Sequence, residues 1–318
     1  MFKRILVPLD GSSLAECVLP HVIAFARAFD ADVTLLQVLE QPHSPAIAQT
    51  IDPVEWEFFR AEADSYLIEM TVRLKGFGLK VTKTLREGQA AEHIIDFAHQ
   101  NDIDLIILSS HGQSGLSNWN VSGVFQKIIL RAFISLLIVR AYRPVNHDLA
   151  NQGYRQLMVP LDGSQRAEVV LPVTKVISHY YRSKLLLAHL TRKPAIHSRL
   201  PLTPAETELV SQITDHNRKW TAKYLEELCS HSMPGVDSHI HIVEGGYTEL
   251  HDLVEVEHVD LVLLSAHGQS GNPRWPYGSV TLSFIVYGMT PLLIVQDLDR
   301  AEVQRTSAEM IAREKKGH

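Results

Sequence analysis

Short apolar runs rich in β-branched residues alternate along this chain with segments that open on helix-start signals. Arg4 to Leu9 predicts a buried strand. Ser13 with Glu16 three residues on predicts a capping box opening the first helix. Val33 to Leu39 predicts a second strand. Asp52-Pro53-Val54-Glu55 predicts a second capping box with proline in the first turn, starting a helix that runs to a stop at Gly76. Leu79 to Leu85, Leu105 to Leu108 and Ile134 to Val139 predict strands three to five, and Gln89 to Gln100 and Gly123 to Ala132 the helices between them. Five apolar strands joined by helices imply a parallel sheet covered on both faces. Right-handed crossovers make it a doubly wound open sheet, an α/β fold.

The pattern is written twice. Val7-Pro8-Leu9-Asp10-Gly11-Ser12 returns as Val159-Pro160-Leu161-Asp162-Gly163-Ser164. The run Asp104 to Gly115, containing Ser110-His111-Gly112-Gln113-Ser114-Gly115, returns as Asp260 to Gly271, containing Ala266-His267-Gly268-Gln269-Ser270-Gly271. Thr203-Pro204-Ala205-Glu206 repeats the capping device of Asp52, and Pro291 to Val295 repeats the fifth strand. The chain therefore reads as two tandem five-stranded domains, 1–143 and 154–298, joined by a polar stretch and followed by a charged tail over 299–318. An apolar fifth strand at a sheet edge has to be covered or paired. The two halves are thus expected to pack through these strands as an internal pseudo-dimer, with a further homodimer open. In sheets of this kind ligands sit beyond the strand carboxyl ends, where strand order reverses. Both repeated motifs follow strands at that edge.

Composition narrows the class. Of 318 residues, 45% are hydrophobic and 21% charged, the balance of an ordinary globular chain. The formal net charge of -6 gives no reason to expect nucleic acid or an anionic membrane as partner. Cys17 and Cys229 have no metal-site spacing and read as idle thiols in a reducing compartment. The N-terminal apolar run is too short for a signal segment, and no window reaches the length of a membrane span. A cytoplasmic location is the expectation.

The strand ending in Pro-x-Asp-Gly-Ser, with a late Ser/Ala-His-Gly-Gln-Ser-Gly loop, resembles the universal stress protein family, as a tandem two-domain member with the adenine nucleotide alpha hydrolase-like fold. That family divides into members that bind ATP and members that bind no nucleotide. The binders carry Gly-x2-Gly-x9-Gly-(Ser/Thr) from the end of strand four into helix four. Such glycines let backbone N–H groups approach phosphates at a helix N-terminus. Mapped on the second half, the first glycine is replaced by Ser265, while Gly268 and Gly278-Ser279-Val280 are in place. In the first half Ser109 stands at the first position, Gly112 at the second, and Ser122-Gly123 inverts the third and fourth. Gln113 and Gln269 stand where many family loops carry Arg or Lys, although Arg274 lies further along the second loop, between Pro273 and Pro276. By the same resemblance Pro8, Asp10 and Val38, and Pro160, Asp162 and Leu190, face adenine and ribose or metal, with Gly115 and Gly271 in the loops. The resemblance implies ATP or a related adenine nucleotide, with or without Mg2+, held chiefly by the second half.

The same residues admit other readings. An Asp-Gly-Ser turn after a strand is also an ordinary strand-to-helix connection. A stress protein that binds no nucleotide and works through its surface follows from the lost glycines at Ser109, Ser122 and Ser265. A hydrolase built on His111 or His267 lacks an orienting carboxylate nearby in sequence, and no Walker lysine or nucleophile elbow is present. No catalytic residue is therefore assigned, and at most slow ATP hydrolysis would accompany binding. His239 and His241 alternate on a predicted strand and share one face, but nothing supplies further ligands, so no metal site is assigned.

Overall fold

The structure, a computed structural model, describes residues 1–40, 52–110, 123–141, 153–191, 203–269 and 276–298. It divides into two compact units, 1–153 with Leu298, and Tyr154–Asp297. The first unit contains β1 (Arg4–Pro8), α1 (Leu19–Phe29), β2 (Asp32–Leu39), α2 (Pro53–Lys75), β3 (Val81–Glu87), α3 (Ala90–Gln100), β4 (Leu105–Ser109), α4 (Gly123–Arg131) and β5 (Ser135–Val139). The second contains β6 (Gln156–Leu161), a single turn α5 (Gln165–Glu168), α6 (Leu171–Tyr181), β7 (Lys184–Thr191), α7 (Pro204–His231), β8 (Ser238–Glu244), α8 (Tyr247–Val256), β9 (Leu261–Ser265), α9 (Ser279–Tyr287) and β10 (Leu292–Val295).

Strand order is β3-β2-β1-β4-β5 in the first unit and β8-β7-β6-β9-β10 in the second, and the strands pair in parallel. The doubly wound α/β sheet expected from the repeat is therefore present in each unit. Successive strand residues face opposite sides, so the unbroken buried runs Ile5–Val7 and Leu261–Ser265 mean that both faces are covered. The outer strands β3 and β8 are largely exposed. Order reverses between β1 and β4, where Leu6 pairs with Ile106, and between β6 and β9, where Met158 pairs with Val262.

The repeated aspartates at the start of β4 and β9 clip these central pairs together. Asp104 Oδ2 accepts from the Lys3 and Arg4 N–H groups at 2.7 and 2.9 Å. Asp260 Oδ2 accepts from Arg155 and Gln156 at 2.7 and 3.0 Å.

Helix starts follow the sequence signals with one correction. Ser13 does not cap the first helix. Ser12 does: its Oγ accepts from the Ala15 N–H at 3.1 Å, opening a 3-10 turn over Ala15–Val18 before α1. Asp10 holds Ser12 there by accepting from its N–H and its hydroxyl, and Asp162 holds Ser164 in the same way. Asp52 caps α2 by accepting from Val54, and Thr203 with Glu206 completes the reciprocal box at α7. Helix α2 ends at Lys75 as expected, but Gly76 keeps a right-handed conformation, and Gly78, at φ +81°, reverses the chain. No helix among the described residues is long and apolar enough to cross a membrane.

Candidate functional site

The Asp-Gly-Ser turns lie at the carboxyl edge of β1 and β6. Gly11 and Gly163 adopt φ of +81° and +83°, in the left-handed region that favours glycine. In the second unit this turn meets the loop after β9. Asp162 Oδ2 accepts from the Gln269 N–H at 2.6 Å, while its Oδ1 accepts from Ser164. Gly268 lies so close that a Cβ there would sit 2.1 Å from Asp162 Oδ2. Ten residues on, the Gly278 N–H donates to Ala266 O at 2.8 Å, and a Cβ at Gly278 would lie 3.6 Å from the Gly268 nitrogen. The glycine positions 268 and 278 are thus brought together, with Gly278 at the N-cap of α9 and no side chain capping that helix. Ser279 is exposed and Val280 half-buried at its first turn. The leading N–H groups of a helix have no partner inside it.

Ser265, which replaces the first glycine, is accommodated without entering the crevice. It is buried; its hydroxyl donates to His267 O at 2.6 Å, and its carbonyl accepts from Thr281 Oγ1 at 2.8 Å. His267 does have an orienting carboxylate, which reading the sequence failed to find. Its Nδ1 lies 2.7 Å from Asp297 Oδ1, which also accepts from the His267 N–H at 3.0 Å, with both side chains fully buried. Arg166 Nε stands 3.5 Å from the other oxygen of Asp297. Asp297 lies thirty positions away, just past β10, so no local motif could announce it. The Ser265 hydroxyl is committed to the loop backbone, and the His267–Asp297 pair locks the His-Gly turn.

Two further side chains of this crevice escaped the sequence. Trp220 of α7 covers Gly163, whose Cβ would meet the indole at 2.9 Å, and it stacks on Tyr224 with ring centroids 5.5 Å apart. Tyr224 Oη donates to Glu168 at 2.9 Å. His189 on β7 pairs in register with Leu161 and precedes Leu190. Burial lowers its pKa, opposed by the nearby Asp162 charge, and its buried Nδ1 has no hydrogen-bond partner among the described residues. Pro160 pairs in register with Ala188 on the same two strands.

The first unit differs in shape. Pro8, Asp10, Val38, Ser109 and Gly123 line one cavity of about 810 Å³ at the carboxyl edge of β1, β2 and β4. Such a volume is typical of small-molecule sites. A Cβ at Gly123 would meet nothing within 4 Å. Cys17, which donates to the lining residue Ser109 at 3.5 Å, has its thiol pushed up to about 11 by burial, so it stays a neutral thiol. Gly112, Gly115, Ser122 and Gly271 lie outside the described residues, as do His111, Gln113, Pro273, Arg274 and the tail 299–318. His239 and His241 are both exposed on β8. Among the described residues no three His, Cys, Asp or Glu side chains gather as a metal site.

Doubly wound parallel sheets, each reversing strand order beside a glycine turn, define an open α/β class. Within that class the model of the universal stress protein family matches residues 1–140 and again 153–296, and the chain belongs to this family. It is 27% identical over 141 residues to the universal stress protein MJ0531 of Methanocaldococcus jannaschii, a match covering 44% of this chain and 83% of that one. It is 26% identical over 155 residues to MJ0577 of the same organism, covering 44% of this chain and 96% of the relative. A universal stress protein of Archaeoglobus fulgidus superposes over 93% of this chain and 98% of its own, with a TM-score of 0.65 at 17% identity. That likeness over nearly the full length shows the fold of both units.

Proposed function

We propose that this tandem universal stress protein is a binding module for ATP or a related adenine nucleotide, held chiefly in its second unit. The observation that carries this reading is the junction of Gly268 and Gly278, with backbone contact distances and an uncapped helix start at Ser279 and Val280. Such a junction suits a phosphate, which needs N–H donors and close backbone approach. Trp220 and the neutral His189, beside Asp162, would supply flat partners for a purine base. Asp162 already gives both oxygens to N–H and hydroxyl donors, so any Mg2+ would be held mainly by the phosphates. The His267–Asp297 pair holds the loop backbone in place, which favours a module that senses or stores nucleotide over a catalyst.

The competing reading, a stress protein that works through its surface without nucleotide, draws support from Trp220 sitting over Gly163 at the mouth of that crevice.

The test is to denature purified protein, identify any released nucleotide by mass spectrometry, and titrate ATP calorimetrically into wild type, Gly278→Val, Gly278→Ala and Gly123→Val. The Gly278 Cβ position has only ordinary contacts, so Gly278→Ala folds and serves as control for the branched variant. One site lost in Gly278→Val and kept in Gly123→Val supports the proposal. No bound nucleotide and no heat in wild type refutes it in favour of the surface reading.

A further inference from the structure

The first-unit cavity has a chemistry that a nucleotide does not match. Its described lining carries three carboxylates, Asp10, Glu40 and Glu62, and no Lys, Arg or His. The nearest cations on α2 are already committed: Arg73 pairs with Glu16 at 3.4 Å, and Arg60 with Glu87 at 3.7 Å. A triphosphate would bring negative charge into a site whose described lining is negative, with no counter-charge among those residues to offset it.

Three aromatic side chains of α2, Trp56, Phe59 and Tyr66, form another part of the wall. The Trp56 ring is pinned, its Nε1–H donating to Glu87 at 3.2 Å. An aromatic wall beside carboxylates attracts a cation twice, through charge and through the negative ring faces. Gln37 supplies an independent sign of a ligand. It is 7% exposed, lines the cavity with its amide beside Gly11, and its Oε1 has no hydrogen-bond partner among the described residues. Carboxylates and an orphan amide oxygen are acceptors, and an ammonium group is purely a donor.

We infer that the first unit binds an organic ammonium ion with an apolar or aromatic body, seated against Trp56, Phe59 and Tyr66 with its charge toward Glu62. The two units of the duplication would then hold ligands of opposite charge. This assignment stands apart from the nucleotide reading of the second unit.

Three probes sharing one ring test it on the full chain: 2-phenylethylamine, 2-phenylethanol and 3-phenylpropionate, cationic, neutral and anionic at pH 7. Binding is followed by calorimetry and by ligand-observed NMR. The amine is expected to bind saturably and about tenfold more tightly than the alcohol, with the carboxylate undetected, and to weaken as salt rises. Glu62 is exposed on α2, so its substitution leaves the fold intact. Glu62→Gln should weaken the amine about threefold and Glu62→Lys about tenfold. The amine titrations use no nucleotide and are read apart from the ATP titrations, so that failure here and failure of the nucleotide reading are separable. Equal binding of the three probes, no amine binding, or an amine affinity unmoved by Glu62→Lys would overturn the inference. So would ATP competing with the amine.

Discussion

Gly268→Ala should destabilise the second unit far more than the same change ten residues later. Backbone strain plays no part, because Gly268 does not occupy the left-handed region. The cost is steric: the new methyl carbon would lie 2.1 Å from Asp162 Oδ2 and 3.1 Å from its Cγ. Asp162 cannot swing aside freely, since its carboxylate accepts from Gln269 N at 2.6 Å, Ser164 Oγ at 2.6 Å and Ser164 N at 3.0 Å. Hydrogen bonds to a charged group contribute roughly 1.5–3 kcal/mol each. Asp162 is half-buried, so water replaces part of what is lost, leaving a net cost of about 2 kcal/mol. For a domain of this size that lowers Tm by about 8 °C. Gly278→Ala meets atoms only at 3.6 Å and beyond, and should cost under about 1 kcal/mol. Urea unfolding followed by circular dichroism measures both, and repeating Gly268→Ala in an Asp162→Ala background completes the cycle. With the carboxylate gone, the methyl group should be tolerated within about 0.5 kcal/mol. A cost that persists in that background would show that the clash with Asp162 is not its source.

Other outcomes follow from buried ionisable groups. Asp297→Ala removes the acceptor of His267 and the charge partner of Arg166, and should cost about 3–5 kcal/mol by equilibrium unfolding, with Asp297→Asn costing less. His21 is buried on α1, and burial lowers its pKa from 6.5 to about 4. The unfolded chain then takes up the proton more readily, so its stabilising contribution is complete above pH 6.5 and is lost as pH falls toward about 4, roughly 3 kcal/mol in total. His21→Leu should flatten the stability profile across that window, leaving smaller contributions from His189 and His251, both shifted the same way by burial. An unchanged profile in His21→Leu would assign the acid sensitivity elsewhere.

Much of this protein is legible in one dimension because its determinants are local. A buried parallel strand writes itself as a short apolar run, so each expected strand lies within a residue or two of the observed one. Thr203 and Glu206 face each other across one helical turn, and their spacing alone announced the capping box. The tandem duplication is visible because both copies keep the residues that turn the chain after strands one and four. Even there, adjacent serines misled: Ser13 has the right spacing to Glu16, but Asp10 holds Ser12 in the capping position.

Tertiary structure decided what these loops can do. Asp297 meets His267 because β10 lies beside β9 in the sheet, a pairing that sequence distance conceals. Trp220 reaches Gly163 because α7 packs back over the carboxyl edge of β6. The charge and volume of the first-unit cavity belong to no motif, since its lining is drawn from β1, β2, α2, α3, β4 and α4, which lie far apart in sequence. Local order is encoded by neighbours along the chain, whereas a site is a meeting of groups far apart in sequence, whose chemistry exists only once the sheet has brought them together.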